Sequence, residues 1–357
     1  MFYGVDLHSD NFKAAVLSKE DNKPNIFRCS FFLDNNLQQF LDRLNQDDFI
    51  ILEASTNSFW FYGLVKDKVK QCFVVDPWQI TLICQSHFKT DKRDAIHLAK
   101  LLKYSVITGE PLPNVYIPTK EVQEIRGLFT TYNLLKKQIT MDKNRIHSLL
   151  KQNGIQVSQK ILCRANSREK IMNLEMREVV LVEIEVLLNQ IERTEESQER
   201  IKKEIFKRGN YFEKEIKLLM SIKGISPFMA IGIMSDIVDI HRFADVKKFC
   251  SYLRAAPKID SSNKTIKIGR INKHSRKICM ELMVQSIEHF RSCEKFDQFY
   301  QKKKPGRSAG KARVALVRKV MVAIYFMLSR EQLFYYVDQK NYNNKLVEYD
   351  RILKKVA

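Results

Sequence analysis

Four acidic side chains in the first hundred residues could hold a divalent metal ion together. Asp6 ends one apolar run of strand character and Glu53 ends another, so in a mixed sheet both carboxylates could project at one edge. Asp91 and Asp94 are three residues apart at a predicted helix start, hence on one helix face. Converging carboxylates repel one another unless cations lie among them, and Mg²⁺ prefers oxygen ligands and supports phosphoryl transfer. The alternative is that these residues cap strands and stabilise a helix amino terminus, and the spacing alone does not decide between the two.

Cysteine and histidine offer no competing metal motif. The seven cysteines are scattered, odd in number and include no Cys-x-x-Cys pair, and the seven histidines form no cluster of metal-ligand spacing. Reduced thiols indicate a cytoplasmic protein, and the sequence has neither an export signal nor an apolar run long enough to span a membrane. We therefore expect a cytoplasmic protein whose metal ion binds to carboxylates.

The positive charge of the chain is concentrated in one segment. The 61 Lys and Arg residues exceed the 41 Asp and Glu residues by 20. The ninety residues from His241 to Arg330 hold 22 of the basic residues and 6 of the acidic ones, a surplus of 16. Such a field suits a polyanion, so nucleic acid is the expected partner. The alternative is a solvated basic face that serves solubility.

The first hundred residues predict an α/β domain. Three hairpin-connected strands are followed by helix, strand, helix, strand and helix, which is the element order of the ribonuclease-H-like fold, although other mixed-sheet folds begin in the same way. The predicted strands are Phe2–Asp6, Phe12–Leu17, Ile26–Phe32, Phe49–Glu53 and Cys72–Val75, and the predicted helices lie around residues 37–44, Phe59–Val69 and Asp91–Tyr104.

Two long amphipathic segments follow. Apolar residues recur at three- and four-residue steps over Thr119–Gln152 and again, as a loose heptad, over Arg168–Lys207. They predict a helical hairpin or coiled coil that acts as a spacer or a dimerisation element.

The remainder of the chain predicts a mostly helical domain. Around Lys223 and Gly224 the pattern is helix, Gly-containing turn, helix, which resembles a helix-hairpin-helix phosphate-binding element. The elements expected after it are a loop over Ala255–Ile271, a helix over Ser275–Cys293, a basic loop over Lys302–Gly310 and a helix over Lys311–Ser329. The predicted division is 1–115, 116–210, 211–335 and a C-terminal tail, 336–357.

Ordered blocks along the chain resemble a known family. Gly4-Val5-Asp6-Leu7-His8, Ile51–Ser55 and Lys89–Ala95 are similar to the three-block DEDD signature of the RuvC-like domain in IS110 family transposases, relatives of the Piv and MooV invertases. The similarity to that family's second domain runs through Ile222–Ile225, Ser235–Ile237, Phe243, Phe249, Tyr252 and Leu253, and then Ala256–Ser262 and Gly269–Lys273. It covers nearly the whole chain in order.

The resemblance implies a catalytic set. Asp6, Glu53, Asp91 and Asp94 would bind Mg²⁺, and Ser262 would be the nucleophile that attacks DNA, a role for which a serine hydroxyl must be activated. The family usually has Gly after this serine, whereas here Asn263 follows, and Asn also tolerates a left-handed backbone. Ser261 stays open as the alternative nucleophile.

Basic residues around this serine would neutralise phosphates near the scissile bond. Together with the Gly-containing turn, the predicted nucleic-acid-binding residues are Lys223, Gly224, Lys264, Lys267, Arg270, Lys273, Arg276 and Lys277.

The resemblance also implies an activity and partners. The chain would be a DNA recombinase that moves its own insertion sequence, acting on donor and target DNA as a dimer or tetramer, with a non-coding bridge RNA that pairs with both DNAs. No membrane partner is expected. Two alternatives stay open: a metal-dependent Holliday-junction-type nuclease that uses water, and a nucleic-acid-binding scaffold without chemistry.

Overall fold

The computed structural model describes residues 1–21, 23–31, 36–83, 91–163, 166–262, 265–271, 276–305 and 308–356. Within these ranges the side chains of residues 81–83, 163, 167, 258–262, 265–268 and 270 are not described. The chain divides into two compact units, Met1–Pro118 and Thr119–Ala357. The finer four-part division stays a prediction.

The first unit is built on a mixed five-stranded sheet with the order β3-β2-β1-β4-β5. β1 is antiparallel to β2, β2 to β3, and β1 and β4 are parallel, as are β4 and β5. This arrangement fits the expected ribonuclease-H-like fold. The elements are β1 Phe2–Leu7, β2 Asn11–Leu17, β3 Asn25–Ser30, α1 Asn36–Leu41, β4 Phe49–Glu53, α2 Ser58–Val65, β5 Gln71–Val75, α3 Pro77–Ile83 and α4 Asp91–Thr108.

Both faces of the sheet are buried, because side chains alternate along each strand. One core contains Tyr3 and Val5 of β1, Leu52 of β4, and Phe40 and Phe61 of α1 and α2. The other core contains the strand residues on the opposite face of the sheet together with one face of α4. Its members include Phe2, Ile51, Val75, Ala95, Leu98, Ala99 and Leu102.

Helix α4 lies directly on β1 at Gly4. A Cβ atom at this position would be 2.2 Å from the carbonyl oxygen of Ala95 and 2.3 Å from the amide nitrogen of Ala99. Only glycine permits this approach, since any side chain would collide with helix backbone. The contact places the first turn of α4, one turn before Ala95, over the end of β1.

The second unit is mostly helical. Its elements are α5 Lys120–Gln152, α6 Ser167–Met172, α7 Glu178–Gly209, α8 Glu213–Met220, α9 Pro227–Ile237, α10 Val246–Tyr252, β6 Pro257–Ser262, β7 Thr265–Ile271, α11 Ile278–Gln285, α12 Ile287–Arg291, α13 Glu294–Lys303, α14 Ala309–Arg330 and α15 Gln339–Val356. The long helices α5 and α7 pack along one another through a core that includes Ile146, Leu149, Ile184 and Leu188. None of the described helices is long and apolar enough to span a bilayer.

Three sequence predictions in this unit are wrong. The helix predicted over 168–207 is two helices, α6 and α7, and the helix over 275–293 is divided into α11 and α12 at Ser286. The loop predicted over 255–271 is an antiparallel hairpin of β6 and β7. Its second strand begins with the period-two pattern of a strand, since Ile266 and Ile268 alternate with Thr265 and Lys267.

The turn between α8 and α9 is held from the C-terminal end of the chain. Gly224 has a φ of +100°, which favours glycine, and a Cβ there would be 2.9 Å from that of His289. Lys345 of α15 donates hydrogen bonds of 2.9 Å to the carbonyl oxygens of Met220 and Ile222. Burial lowers the pKa of Lys345 to about 8. An ammonium group that is partly withdrawn from water therefore caps the end of α8.

We expect Gly4→Ala to destabilise the protein by about 1–3 kcal/mol, because the methyl group forces α4 away from β1. Chemical denaturation followed by circular dichroism measures the change. Gly63→Ala in α2 is the matched control: a Cβ there meets no atom within 4 Å, so the protein should gain up to about 1 kcal/mol. Equal stability of the two variants would contradict the packing argument.

Stability should also depend on pH through Lys345. Its pKa is lower in the folded state than the ordinary 10.5, so the unfolded chain binds the proton more tightly between the two values. The free energy of unfolding of the wild type, minus that of Lys345→Met, should therefore rise from about pH 8 toward about pH 10. Urea titrations across this range measure the difference, and a flat or falling difference would contradict the assignment.

Candidate active site

The parallel pairing of β1 and β4 brings Asp6 and Glu53 to the same edge of the sheet. Val5 pairs with Leu52, so the next residues, Asp6 and Glu53, lie level with each other. Val5 and Leu52 are buried on the α1–α2 face. Asp6 and Glu53 therefore belong to the opposite face, on which α4 packs.

Helix α4 brings the other two carboxylates to this edge. Asp91 and Asp94 lie in its first turn. Nζ of Lys13, which lies opposite Asp6 in the β1–β2 ladder, is 2.7 Å from Oδ2 of Asp91. This ion pair ties the beginning of α4 to the sheet.

The charges of this cluster act on Asp6. Burial raises the pKa of Asp6, the nearby His8 lowers it, and the carboxylates of Asp94 and Asp91 raise it further. The hydrogen bond from Lys13 lowers the pKa of the exposed Asp91. Asp6, Asp91 and Asp94 therefore lie close enough to act on one another, and Glu53 is at the same edge of the sheet by its register. Mutual repulsion between such carboxylates favours a bound cation.

His8 adds a nitrogen atom to the acidic cluster. Its Nε2 atom is 3.3 Å from Oδ2 of Asp6 and 3.5 Å from Oδ2 of Asp91. This atom is shielded from solvent and has no hydrogen-bond partner among the described residues. One ligand atom from each of Asp6, His8 and Asp91 lies within 4.8 Å of the other two. An unsatisfied nitrogen between two carboxylates fits a divalent metal ion.

In the second unit, Ser262 is the last residue of β6 and pairs with Thr265 at the start of β7. The hairpin connection, residues 263–264, lies outside the described residues and includes Lys264; Lys273 lies outside them too. The side chains of Ser261, Ser262, Lys267 and Arg270 are also not described. The backbone therefore locates the predicted nucleophile at the tip of the hairpin.

The other predicted nucleic-acid-binding residues already have protein partners. Nζ of Lys223 is 3.5 Å from Oδ2 of Asp338, and Gly224 packs against α12. Nε of Arg276 donates to Asp236, and Nζ of Lys277 lies 4.0 Å from Oε1 of Glu281. The turn around Gly224 is thus braced by the protein itself.

Two models of transposase families match successive parts of the chain. Residues 3–154 match a family model described as a transposase, the DEDD transposase of IS110 elements. Residues 216–301 match the model of the transposase IS116/IS110/IS902 family. The chain belongs to the IS110 family of transposases. The first match contains the four carboxylates and the second contains the β6–β7 hairpin.

One curated relative of this IS110 family chain is the transposase for insertion sequence element IS1533 from Leptospira borgpetersenii. It is 23% identical over 162 residues, which are 44% of this chain and 45% of the relative. The chain thus spans a little under half the length of the curated relative it matches.

Sequence reasoning on this IS110 family chain missed His8 and Lys13. His8 stands two residues after Asp6 and so belongs to the same face of the sheet, which was a usable signal. Lys13 reaches Asp91 across 78 positions of sequence, and only the β1–β2 register together with the packing of α4 reveals that contact.

We expect Asp6→Asn to stabilise the metal-free protein, because it removes one charge from a half-buried group of carboxylates. Mg²⁺ or Mn²⁺ should raise the melting temperature of the wild type and have little effect on Asp6→Asn. At a metal concentration about a hundred times the dissociation constant, the wild type should gain about 2.7 kcal/mol of stability. Differential scanning calorimetry with EDTA or with added metal measures both effects.

Asp10→Asn is the control, since Asp10 is exposed in the neighbouring turn and lies outside the cluster. It should respond to metal as the wild type does. An Asp6→Asn variant with the full metal response would mean that the ion binds elsewhere.

Proposed function

We propose that this protein is a DNA transposase that cuts and rejoins DNA through a phosphodiester link to Ser262, with Mg²⁺ at Asp6, Glu53, Asp91 and Asp94. The observation that carries the proposal is the convergence of these carboxylates at one edge of a ribonuclease-H-like sheet, within the segment that matches the DEDD family model. DNA is the proposed substrate, and the cytoplasm is the proposed place of action.

Residues of the first unit prepare the metal site. Asp6 and Glu53 are fixed by the sheet, Lys13 orients Asp91, and His8 offers a ring nitrogen. Mg²⁺ bound there would polarise phosphoryl oxygens and stabilise the charge that develops during phosphoryl transfer. Burial raises the pKa of Asp6, so protons compete with a cation for this carboxylate more strongly than they would at an exposed aspartate.

The proposed chemistry conserves the number of phosphodiester bonds. The hydroxyl oxygen of Ser262 forms a bond to phosphorus and gives up its proton, and the bond from phosphorus to one sugar oxygen breaks. The released strand end takes up a proton as a hydroxyl group. In the reverse direction a strand-end hydroxyl attacks the serine ester, which frees Ser262 and joins the new strand.

Further parts of the proposal concern the nucleic-acid partners and the assembly of subunits. The surplus of positive charge suits donor and target DNA and a bridge RNA that pairs with both. The turn around Gly224 is proposed as a helix-hairpin-helix-like element. A coiled coil formed by α5 and α7 is proposed to join subunits into a dimer or tetramer, and exposed apolar side chains along these helices support that role: Leu134, Met141, Val179, Val182 and Val186.

The decisive experiment traps the serine ester. The purified full-length chain, candidate RNA and Mg²⁺ are incubated with a suicide DNA substrate that loses a short fragment after cleavage. Mass spectrometry of the digested protein should then find a nucleotide on Ser262. Ser262→Ala should abolish the adduct and lower strand exchange by at least about a thousandfold, since the nucleophile itself is lost.

Ser261→Ala is the matched control and should keep the adduct and the exchange. An adduct on Ser261 would move the nucleophile by one residue. Cleavage that survives Ser262→Ala without any adduct would favour a nuclease that uses water. Binding without cleavage, unchanged by Asp6→Asn or Glu53→Gln, would favour a scaffold.

A further inference from the structure

A buried carboxylate in the second unit organises basic residues around it. Asp236, near the end of α9, has a side chain that is fully withdrawn from solvent. Its Oδ2 accepts a hydrogen bond of 2.9 Å from the amide of Cys279 in the first turn of α11, and its Oδ1 accepts one of 3.0 Å from Nε of Arg276. Asp236 therefore fixes both the start of α11 and the arginine just before it.

A strained turn brings a second arginine to the same place. Val238 has a φ of +63°, rare for a β-branched residue, and the amide of Asp239 donates to the carbonyl oxygen of Ile237 at 2.9 Å. Beyond this turn, Arg242 folds back on α9. Its Nε and Nη2 atoms donate to the carbonyl oxygens of Ile237 and Asp236 at 2.9 and 3.1 Å.

The third arginine comes from α5. Nε of Arg126 donates to the carbonyl oxygen of Ser235 at 2.7 Å, and the side chain is 8% exposed. Its Nη2 atom is buried and has no hydrogen-bond partner among the described residues. Burial lowers the pKa of Arg126 and the charges of Arg276 and Arg242 lower it further, which shows that the three guanidinium groups act on one another.

Three arginines thus meet at the end of α9, which supplies one buried carboxylate, so the group has a surplus of two positive charges. A buried donor without a partner is unfavourable, so a cluster of this kind favours an anion that accepts its hydrogen bonds. We call Arg126, Arg242 and Arg276 the arginine cluster.

The arginine cluster is connected with both sides of the β6–β7 hairpin in sequence. The guanidinium carbon of Arg242 is 4.3 Å from the ring centre of Tyr252, the last residue of α10, shortly before β6 begins. Arg276 follows shortly after β7 ends at Ile271. The cluster thus contacts the helix that leads into the hairpin that carries Ser262 and contains a residue that soon follows it.

We infer that the arginine cluster binds one backbone phosphate of the DNA strand on which Ser262 acts. Nε of Arg276 is held by Asp236, which leaves the Nη groups of this partly exposed side chain to contact a phosphodiester, while the buried Arg126 beside it adds positive charge. A phosphate fixed by the cluster would set the register of the strand at the tip of the hairpin. The inference rests on the proposed function, because the hairpin supplies the nucleophile only there.

Binding is tested without metal, so that cleavage does not contribute. Fluorescence anisotropy with a fluorescein-labelled DNA duplex of mixed sequence, in EDTA and over a range of salt concentrations, compares the wild type with Arg126→Gln and Arg276→Gln. Each variant should bind at least about tenfold more weakly, and the slope of log K against the logarithm of the salt concentration should become shallower by about 0.9, the value for one phosphate contact. The double variant should lose little more affinity than either single variant, since both residues act on one phosphate.

Arg200→Gln is the matched control, because Arg200 is exposed on α7 and the substitution removes the same charge. It should keep the affinity and salt dependence of the wild type. Folded cluster variants that bind like the wild type would overturn the inference. A loss of affinity for single-stranded RNA of the same sequence, but not for the duplex, would overturn the assignment to DNA.

A second measurement uses only the wild type, in case a cluster variant does not fold. Phenylglyoxal modifies accessible arginines, and mass spectrometry locates the products. Saturating duplex should protect Arg276 and leave Arg200 reactive; equal modification of Arg276 with and without DNA would overturn the inference. These binding assays are independent of the serine ester, so an absent adduct with protected arginines would refute the proposed function alone.

Discussion

The contact between α4 and β1 at Gly4 is the constraint on which the acidic site depends. Helix backbone touches strand backbone there, with no room for a side chain. The apolar core beneath α4, including Leu98, Ala99 and Leu102, holds the helix in place. Its first turn then lies over the strand end that carries Asp6. Packing energy thus offsets the electrostatic cost of bringing Asp91 and Asp94 close to Asp6, and in the proposed function this repulsion would favour a bound cation.

The second unit contains a cluster of the opposite charge. Asp236 is buried and accepts hydrogen bonds from a helix start and an arginine, while two further arginines are held by carbonyl oxygens of α9. One carboxylate does not balance three guanidinium groups. The first unit therefore concentrates negative charge that suits a metal ion, and the second concentrates positive charge that suits a phosphate. Phosphoryl transfer needs both, so the two halves are chemically complementary in the proposed function.

Local patterns predicted the fold well where each element has its own period. The strand order of the first unit and the edge shared by Asp6 and Glu53 follow from short apolar runs and parallel pairing. The β6–β7 hairpin was missed because its serine, asparagine and lysine residues are typical of a loop. The signal for a strand was the alternation of Ile266 and Ile268 with polar residues in β7. Contacts distant in sequence were beyond prediction: Lys13 with Asp91 and Arg126 with Ser235 are 78 and 109 positions apart. Neither Lys13 nor Arg126 belongs to a sequence motif that indicates its partner.

The most direct test of the central claim is anomalous diffraction from crystals of the full-length protein soaked in Mn²⁺, which shows the ion itself. We predict a peak at the end of β1, about 2.1 Å from carboxylate oxygens of Asp6 and its acidic neighbours in β4 and α4. With Mn²⁺ at saturation, a map that shows no peak at this edge, or ordered ions only elsewhere, would contradict it.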